Sequence, residues 1–290
     1  LTVVNFASAG ESTSVVLLAG LCTIDVVQRV AELPAPGEKV QSLSVDLAAG
    51  GPATNAAVTV AVLGGRARLL TVLGSHPLAD LARADLTACG VEFLDAAPSF
   101  GDAPALSAVA VRDRDGERTV VSRNAATSPA VVGSPWDVDD VSAVLVDGHH
   151  PALALGTARW AHEHGIPVVL DAGSWKPVLD ELLPLVDIAA CSAHFRAPGP
   201  SLLDRGVGTV ITTAGPDPVR WQTVSAAGEV PVPAVEARDT LGAGDVWHGA
   251  LAYGVGRFEL PELIRYANEV AAERVRHVGP RAWVRKMGVR

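Results

Sequence analysis

"DTLGAGDVWHGALAYG", residues 239–254, decides how the rest of the chain is read. Gly242 and Gly244 bracket an alanine and stand directly before Asp245, which opens an apolar, helix-like run. The first turn of a helix leaves backbone N–H groups without partners, and glycines let an anion approach them closely, so Gly242, Ala243 and Gly244 suit a phosphate. A carboxylate beside a resting phosphate only repels it. Beside a phosphoryl group in transit it has a use, because the attacking hydroxyl must lose a proton. A positioned base contributes about 10²–10⁴-fold in rate, and oriented amides stabilise the charge on the moving group. Asp245 therefore reads as a general base and residues 242–244 as an anion hole; the bland alternative is an ordinary turn with Asp245 as a helix cap. The chain has no GxxxxGK[ST] run, and "GAGDVW" lacks the third glycine of GxGxxG, so neither a P-loop nor a dinucleotide fingerprint is present.

Working outward, short apolar runs alternate with helical segments. Strands are expected at 15–20, 69–73, 143–147, 167–171, 186–190 and 209–213, with helices at 55–65, 77–90, 151–165 and 176–186 between them. Continuous apolar strands separated by helices imply a parallel sheet covered on both faces. Two stretches, 29–47 and 103–124, instead alternate apolar with polar residues, and "SAVAVRDRDGERTVVSR" reads as a hairpin turned at Asp115–Gly116. They are expected to pair as a small antiparallel lid over the carboxyl edge of the sheet. The organisation expected is thus a core of 15–28, 48–102 and 125–290, a lid of 29–47 and 103–124, and a weakly ordered lead-in over 1–14. Exposed lid edges would be covered by pairing across a homodimer.

At 290 residues and 49% hydrophobic, the chain has enough apolar material for a large core. A net charge of −9 argues against a nucleic-acid or anionic-membrane surface. The longest apolar runs fall far short of a bilayer span. Three scattered cysteines, Cys22, Cys89 and Cys191, without CxxC spacing, fit a reducing, cytoplasmic setting.

Open α/β sheets bind ligands at the carboxyl ends of their strands. A second glycine cluster lies there, "AAGGPATNAAVTVAVLGG" (48–65): Gly50 and Gly51 allow close approach of a polyol, and Asn55 offers both donor and acceptor. Asp25, past the first strand, can accept two sugar hydroxyls. Asp147 in "VDGHHP" is read as a substrate or lid contact. Lys176 in "DAGSWKP" is placed within reach of ATP phosphates. The pairs His149–His150 and His162/His164 have no third ligand at metal-binding spacing.

"GGPATNAAVTVAVLGG" and "DTLGAGDVWHGAL", together with "GERTVV", "VVLDAGSWKP" and "YANEVAAERVRHVG", resemble the signatures of the ribokinase-like (PfkB) carbohydrate kinases, with ketohexokinase-like features in "DTLGAGD". The resemblance implies a three-layer α/β sandwich with a mostly parallel central sheet and a β-sheet lid, and transfer of a phosphoryl group from ATP, with Mg2+, to a sugar hydroxymethyl group. It places Asp245 at the base, Gly242–Gly244 at the anion hole, and Asp25, Gly51 and Asn55 at the sugar. Thr213 and Gly215 match a loop beside the nucleotide, Asn268 a residue near the adenine, and Asp239 a position that helps hold a monovalent cation, K+, in some members. Ser192 and Phe195 stand where an Asn-x-x-Glu is common, which puts the usual magnesium organisation in doubt, and His248 stands where Asn is frequent. A sugar- or nucleotide-binding pseudokinase and a nucleoside kinase on the same scaffold are the alternative readings.

Overall fold

A computed structural model of the protein describes residues 14–123 and 140–287; the expected lead-in, apart from Ser14, and residues 125–139 and 288–290 of the expected core lie outside them. The amino-terminal half runs β1 (Val15–Ala19), β2 (Thr23–Val30), β3 (Ser42–Gly50), α1 (Pro52–Val62), β4 (Arg66–Thr71), α2 (Ala79–Ala88), β5 (Glu92–Asp95), β6 (Ala105–Arg112) and β7 (Arg118–Arg123). The remainder runs β8 (Val141–Val146), α3 (Pro151–Glu163), β9 (Val168–Ala172), α4 (Leu179–Leu182), β10 (Ile188–Ser192), β11 (Thr209–Ala214), β12 (Asp217–Thr223), β13 (Ala227–Val230), α5 (Ala243–Gly254), α6 (Leu260–Val275) and α7 (Ala282–Met287).

Nine strands form the central sheet in the order β13-β12-β11-β10-β9-β8-β1-β4-β5, parallel from β11 to β5, with β12 and β13 added antiparallel at one edge. The alternation of side chains along a strand explains the unbroken apolar runs. On β1, Val16 and Leu18 point into a core shared with α1, α5 and α6, while Leu17 and Ala19 point into a second core with α3 and α4. Both faces are dry, and each fully buried leucine, such as Leu17, Leu18, Leu145 or Leu170, contributes roughly 1.5–3 kcal/mol. β4 begins earlier than its apolar run because Arg66 and Arg68 pair with Glu92 on the edge strand β5. The helix expected over 176–186 shrinks to one α-turn and a 3₁₀ turn around Pro184, whose missing N–H cannot continue the ladder.

A second sheet of four strands, β3-β2-β6-β7, forms the lid. It takes in residues 23–28 and 48–50, which the sequence grouping assigned to the core, because β2 pairs along its whole length with both β3 and β6. β2 and β6 are parallel rather than antiparallel, as the long excursion through α1, β4, α2 and β5 separates them. The hairpin between β6 and β7 turns through Asp115–Gly116 as read. Strand order reverses at β1, whose neighbours are β4 and β8, so the crevice expected of an open α/β sheet opens beside the end of β1. No helix among the described residues is long and apolar enough to cross a membrane.

Candidate active site

A cavity of about 260 Å³ lies in that crevice, between the end of β1, the lid and the start of α5. Its polar lining includes Thr23, Asp25, Asn55, Ser107 and Asp245, and its apolar wall includes Leu21, Leu241 and Trp283. The sequence motifs separated by nearly 200 residues meet here.

On one side stands Asp25, near the start of β2 just past the end of β1. Thr23 Oγ1 donates to its Oδ1 at 2.6 Å. Burial raises the Asp25 pKa, and the Thr23 and Ser107 hydroxyls and Arg281 oppose that rise. Gly50 makes room for it: a Cβ at that position would run into the Asp25 carboxylate. Gly51 has φ 96°, open only to glycine without strain, and caps α1 so that Pro52 can start the helix and turn Asn55 toward the cavity. Arg281 fastens this corner from the far end of the chain, donating to the Ala49 carbonyl and pairing with Asp85 at 2.7 Å, while Asp85 accepts the Ala49 amide at 2.9 Å.

On the other side α5 begins at Ala243 behind Gly242, whose φ of 73° again requires glycine. Beyond Gly244 lies open space, with nothing but its chain neighbours and its own helix backbone within 4 Å of where a Cβ would be, so an anion can reach the amides of the first turn. Asp245 sits partly exposed at the cavity floor, its Oδ2 accepting from Asn55 Nδ2 at 2.8 Å. Burial, then the charge of Asp171, push its pKa up to about 6, with Asn55 and His248 pulling the other way. The carboxylate is thus ionised at neutral pH yet basic enough to take a proton.

Behind Asp245 the structure reveals a pair that sequence reasoning missed. His248 Nδ1 lies 2.9 Å from Asp171 Oδ2, with both side chains buried. Burial acts to lower the imidazole pKa, but Asp171, joined by Asp245, acts upward and the net direction is up; for Asp171 burial acts upward, and His248, joined by Lys176 and His149, brings the net direction down. His248 lies three residues after Asp245 on α5, which puts both on one helical face, and that spacing was the available signal. Asp171, Asp245 and His248 also bring their ligand atoms within 4.8 Å of one another, the one such group among the described residues. It does not suit magnesium: that ion demands octahedral oxygen ligands, and here an imidazole already answers one of two carboxylates.

The structure separates the other expected site residues. Asp147 does not face the cavity. It is 1% exposed, and its oxygens accept the amides of Leu21 at 2.8 Å, His149 at 2.9 Å and Ala53 at 3.3 Å, so it clamps the floor instead of touching a substrate. Asn268 is also buried, accepting from Trp247 Nε1 at 2.8 Å and donating to the Pro231 carbonyl at 3.1 Å, which ties its amide to α5 and to the end of β13. Lys176 Nζ rests on the Ser174 carbonyl at 3.3 Å, and its charge is felt by Asp171 and His149. Thr213 is the last but one residue of β11, and Gly215 lies open in the turn to β12. Ser192 Oγ donates to the Gly173 carbonyl, and Phe195 packs against Trp175. Asp239 is buried away from the cavity among arginines.

A family profile for pfkB family carbohydrate kinases matches residues 13–286. The deoxyribokinase of Salmonella typhi is 25% identical over 279 residues, covering 82% of this chain and 84% of that protein. A solved structure from Agrobacterium tumefaciens superimposes with a TM-score of 0.81 at 27% identity, covering 94% of this chain and 96% of that one. The ribokinase of Arabidopsis thaliana, solved with ribose and ATP, shares the fold with a TM-score of 0.71 at 20% identity over 95% of this chain and 99% of its own. A match that runs through the central sheet, the lid and both glycine clusters shows that the chain belongs to the pfkB family of carbohydrate kinases, phosphotransferases with an alcohol group as acceptor.

Proposed function

We propose that this chain transfers the γ-phosphoryl group of MgATP to a hydroxymethyl group of a sugar, with Asp245 as general base and the amides of Gly242, Ala243 and Gly244 as anion hole. One observation carries the reading: a carboxylate with a pKa near 6 stands at the cavity floor directly beside the open first turn of α5. Asp25 and Asn55 hold the acceptor, with Gly50 and Gly51 keeping that side close-fitting. A cavity of about 260 Å³ is small for a ligand site and suits a monosaccharide. Asp245 takes the proton as the sugar oxygen forms its bond to phosphorus; the bond from phosphorus to the β–γ bridging oxygen breaks, and ADP leaves. The α5 amides face the charge that builds on the transferring group. Lys176, Thr213 and Gly215 line the path for the nucleotide along the ends of β9 to β11. Magnesium enters as the nucleotide's own counter-ion, since the Asp171–Asp245–His248 group does not suit it.

The lid belongs to this proposal as a cover that excludes water and as a dimer face. Leu43, Val45 and Leu47 alternate along β3 and are each more than half exposed, a stripe that a second copy would bury. Val45→Asp should convert a sedimenting dimer to monomer; a wild-type monomer at all concentrations removes the dimer.

The test is a coupled assay of ADP release over ketoses, aldoses and nucleosides. Release should depend on a sugar and fall about 10²–10⁴-fold in Asp245→Asn. Calorimetric sugar binding without turnover across the panel would instead mark a pseudokinase, and preference for nucleosides would mark a nucleoside kinase.

A further inference from the structure

Asp239 opens the loop that leads to the anion hole, and the groups around it do not suit a metal ion. Its Oδ1 accepts the Leu241 amide at 2.9 Å and its Oδ2 the Gly279 amide at 2.9 Å, tying the loop to the turn after α6. Three backbone carbonyls converge beside it, those of Asp239, Leu241 and His277. Carbonyl oxygens converging with a carboxylate make the ligand field of a dehydrated monovalent cation. The centre of that field is filled. Arg274, in the last turn of α6 and 2% exposed, donates from Nη2 to the Leu241 carbonyl at 2.7 Å and from Nη1 to the His277 carbonyl at 2.8 Å and the Asp239 carbonyl at 3.4 Å. Its Nη2 lies 3.7 Å from Asp239 Oδ2.

A second guanidinium stands on the lid side. Arg29 of β2 is buried, brings Nη1 to 3.7 Å from the same Asp239 Oδ2, and pairs through Nε with Asp113 at 3.0 Å. Two fixed cations thus face the one buried carboxylate and already answer its single negative charge, so a third cation would meet net repulsion there. Uncompensated, the converging oxygens would themselves be costly to bury.

We propose that the guanidinium of Arg274 is the built-in cation of the anion-hole loop, and that phosphoryl transfer by this chain needs no monovalent metal ion. Arg274 is a positioning residue: it fixes Leu241 and so the left-handed turn at Gly242 from which the α5 amides point. The inference rests on the function proposed above, but its tests do not all need turnover.

In wild-type protein, replacing K+ by choline at constant ionic strength should change ADP release by less than about twofold and leave the melting temperature unchanged. Arg274→Ala should lose about 10²-fold in turnover, as expected when a reacting loop shifts, and should regain activity and melting temperature selectively with K+ or added guanidinium, not with choline. Arg274→Lys, which keeps the charge, should retain more of both and serves if the alanine variant does not fold. A clear stimulation or melting-temperature rise of the wild type by K+ overturns the proposal. So does an alanine variant that folds and behaves as wild type, or a folded one that neither cation restores. Absence of any sugar-dependent turnover in wild type would count against the proposed reaction alone, and the melting experiments would still decide the role of Arg274.

Discussion

Asp147 and Asp171 stand one strand apart at the same edge of the central sheet, at the ends of β8 and β9, and both are buried. Asp147 follows the last residue of β8 and turns into the floor, where three backbone amides use its oxygens. Asp171 is still within β9. It shares a face with Val169, which packs on the α5 side of the sheet, and therefore meets His248. The difference lies in where each strand stops. A carboxylate met by backbone amides holds the scaffold together; one met by a titratable side chain next to a base tunes chemistry.

The contrast breaks most visibly at Asp147. Asp147→Ala leaves three amides without their acceptor at the point where β1, β8 and α1 meet, and should cost about 3–5 kcal/mol in chemical denaturation. Near-wild-type stability would mean that the amides find water and that the clamp is dispensable.

Asp245→Asn sharpens the other half with the opposite sign. The folded-state pKa of Asp245, about 6, lies above its ordinary value of 3.8. The folded protein binds this proton more tightly than the unfolded chain, so the group's contribution to stability falls as pH rises from 3.8 to 6 and stays unfavourable above. Neutralising it should therefore raise stability at pH 7 by about 1–3 kcal/mol while removing activity. The same variant should bring no gain at pH 4. A loss of stability at neutral pH would show that the Asn55 contact outweighs the burial of charge.

These two aspartates also mark how far the sequence could be read. The strands β1, β8 and β9 were legible because burial on both faces makes every position apolar, whichever way it points. The pairing of the two glycine clusters with Asp25, Asn55 and Asp245 was legible because Gly50, Gly51 and Gly242 each have a backbone or contact reason to be glycine. "VLVDGHH" and "VVLDAGS", by contrast, look alike as text. What separates them is that β9 runs on through Asp171 and Ala172 against β10 where β8 stops at Val146, and that is set by pairing with neighbours further along the chain. The partners of Asn268 were hidden for a similar reason: nothing local says that Trp247, 21 residues earlier, donates to its oxygen. Arg274 reads as an ordinary cation at a helix C-terminus, and its true partners come from the loop at 239–241 and the turn at 277.

The smallest effect concerns Asp171 itself. Its charge is the leading neighbouring influence that raises the Asp245 pKa, ahead of the opposing influence of His248. Asp171→Asn should move the acid limb of the pH–rate profile below 6, by less than about 1 in pH, and the His248 ring should titrate lower by nuclear magnetic resonance, since burial then acts with less opposition. The stability difference between wild type and this variant has its own window. Asp171, with a lowered pKa, contributes above its ordinary 3.8 and loses that contribution as pH falls; His248, with a raised pKa, contributes fully below 6.5 and loses it as pH rises through its folded value. The pair therefore stabilises the fold most between 3.8 and 6.5, and the two proteins should differ most there. If Asp171→Asn changed stability equally at all pH values and left both the acid limb and the His248 titration in place, the two aspartates would be doing the same job.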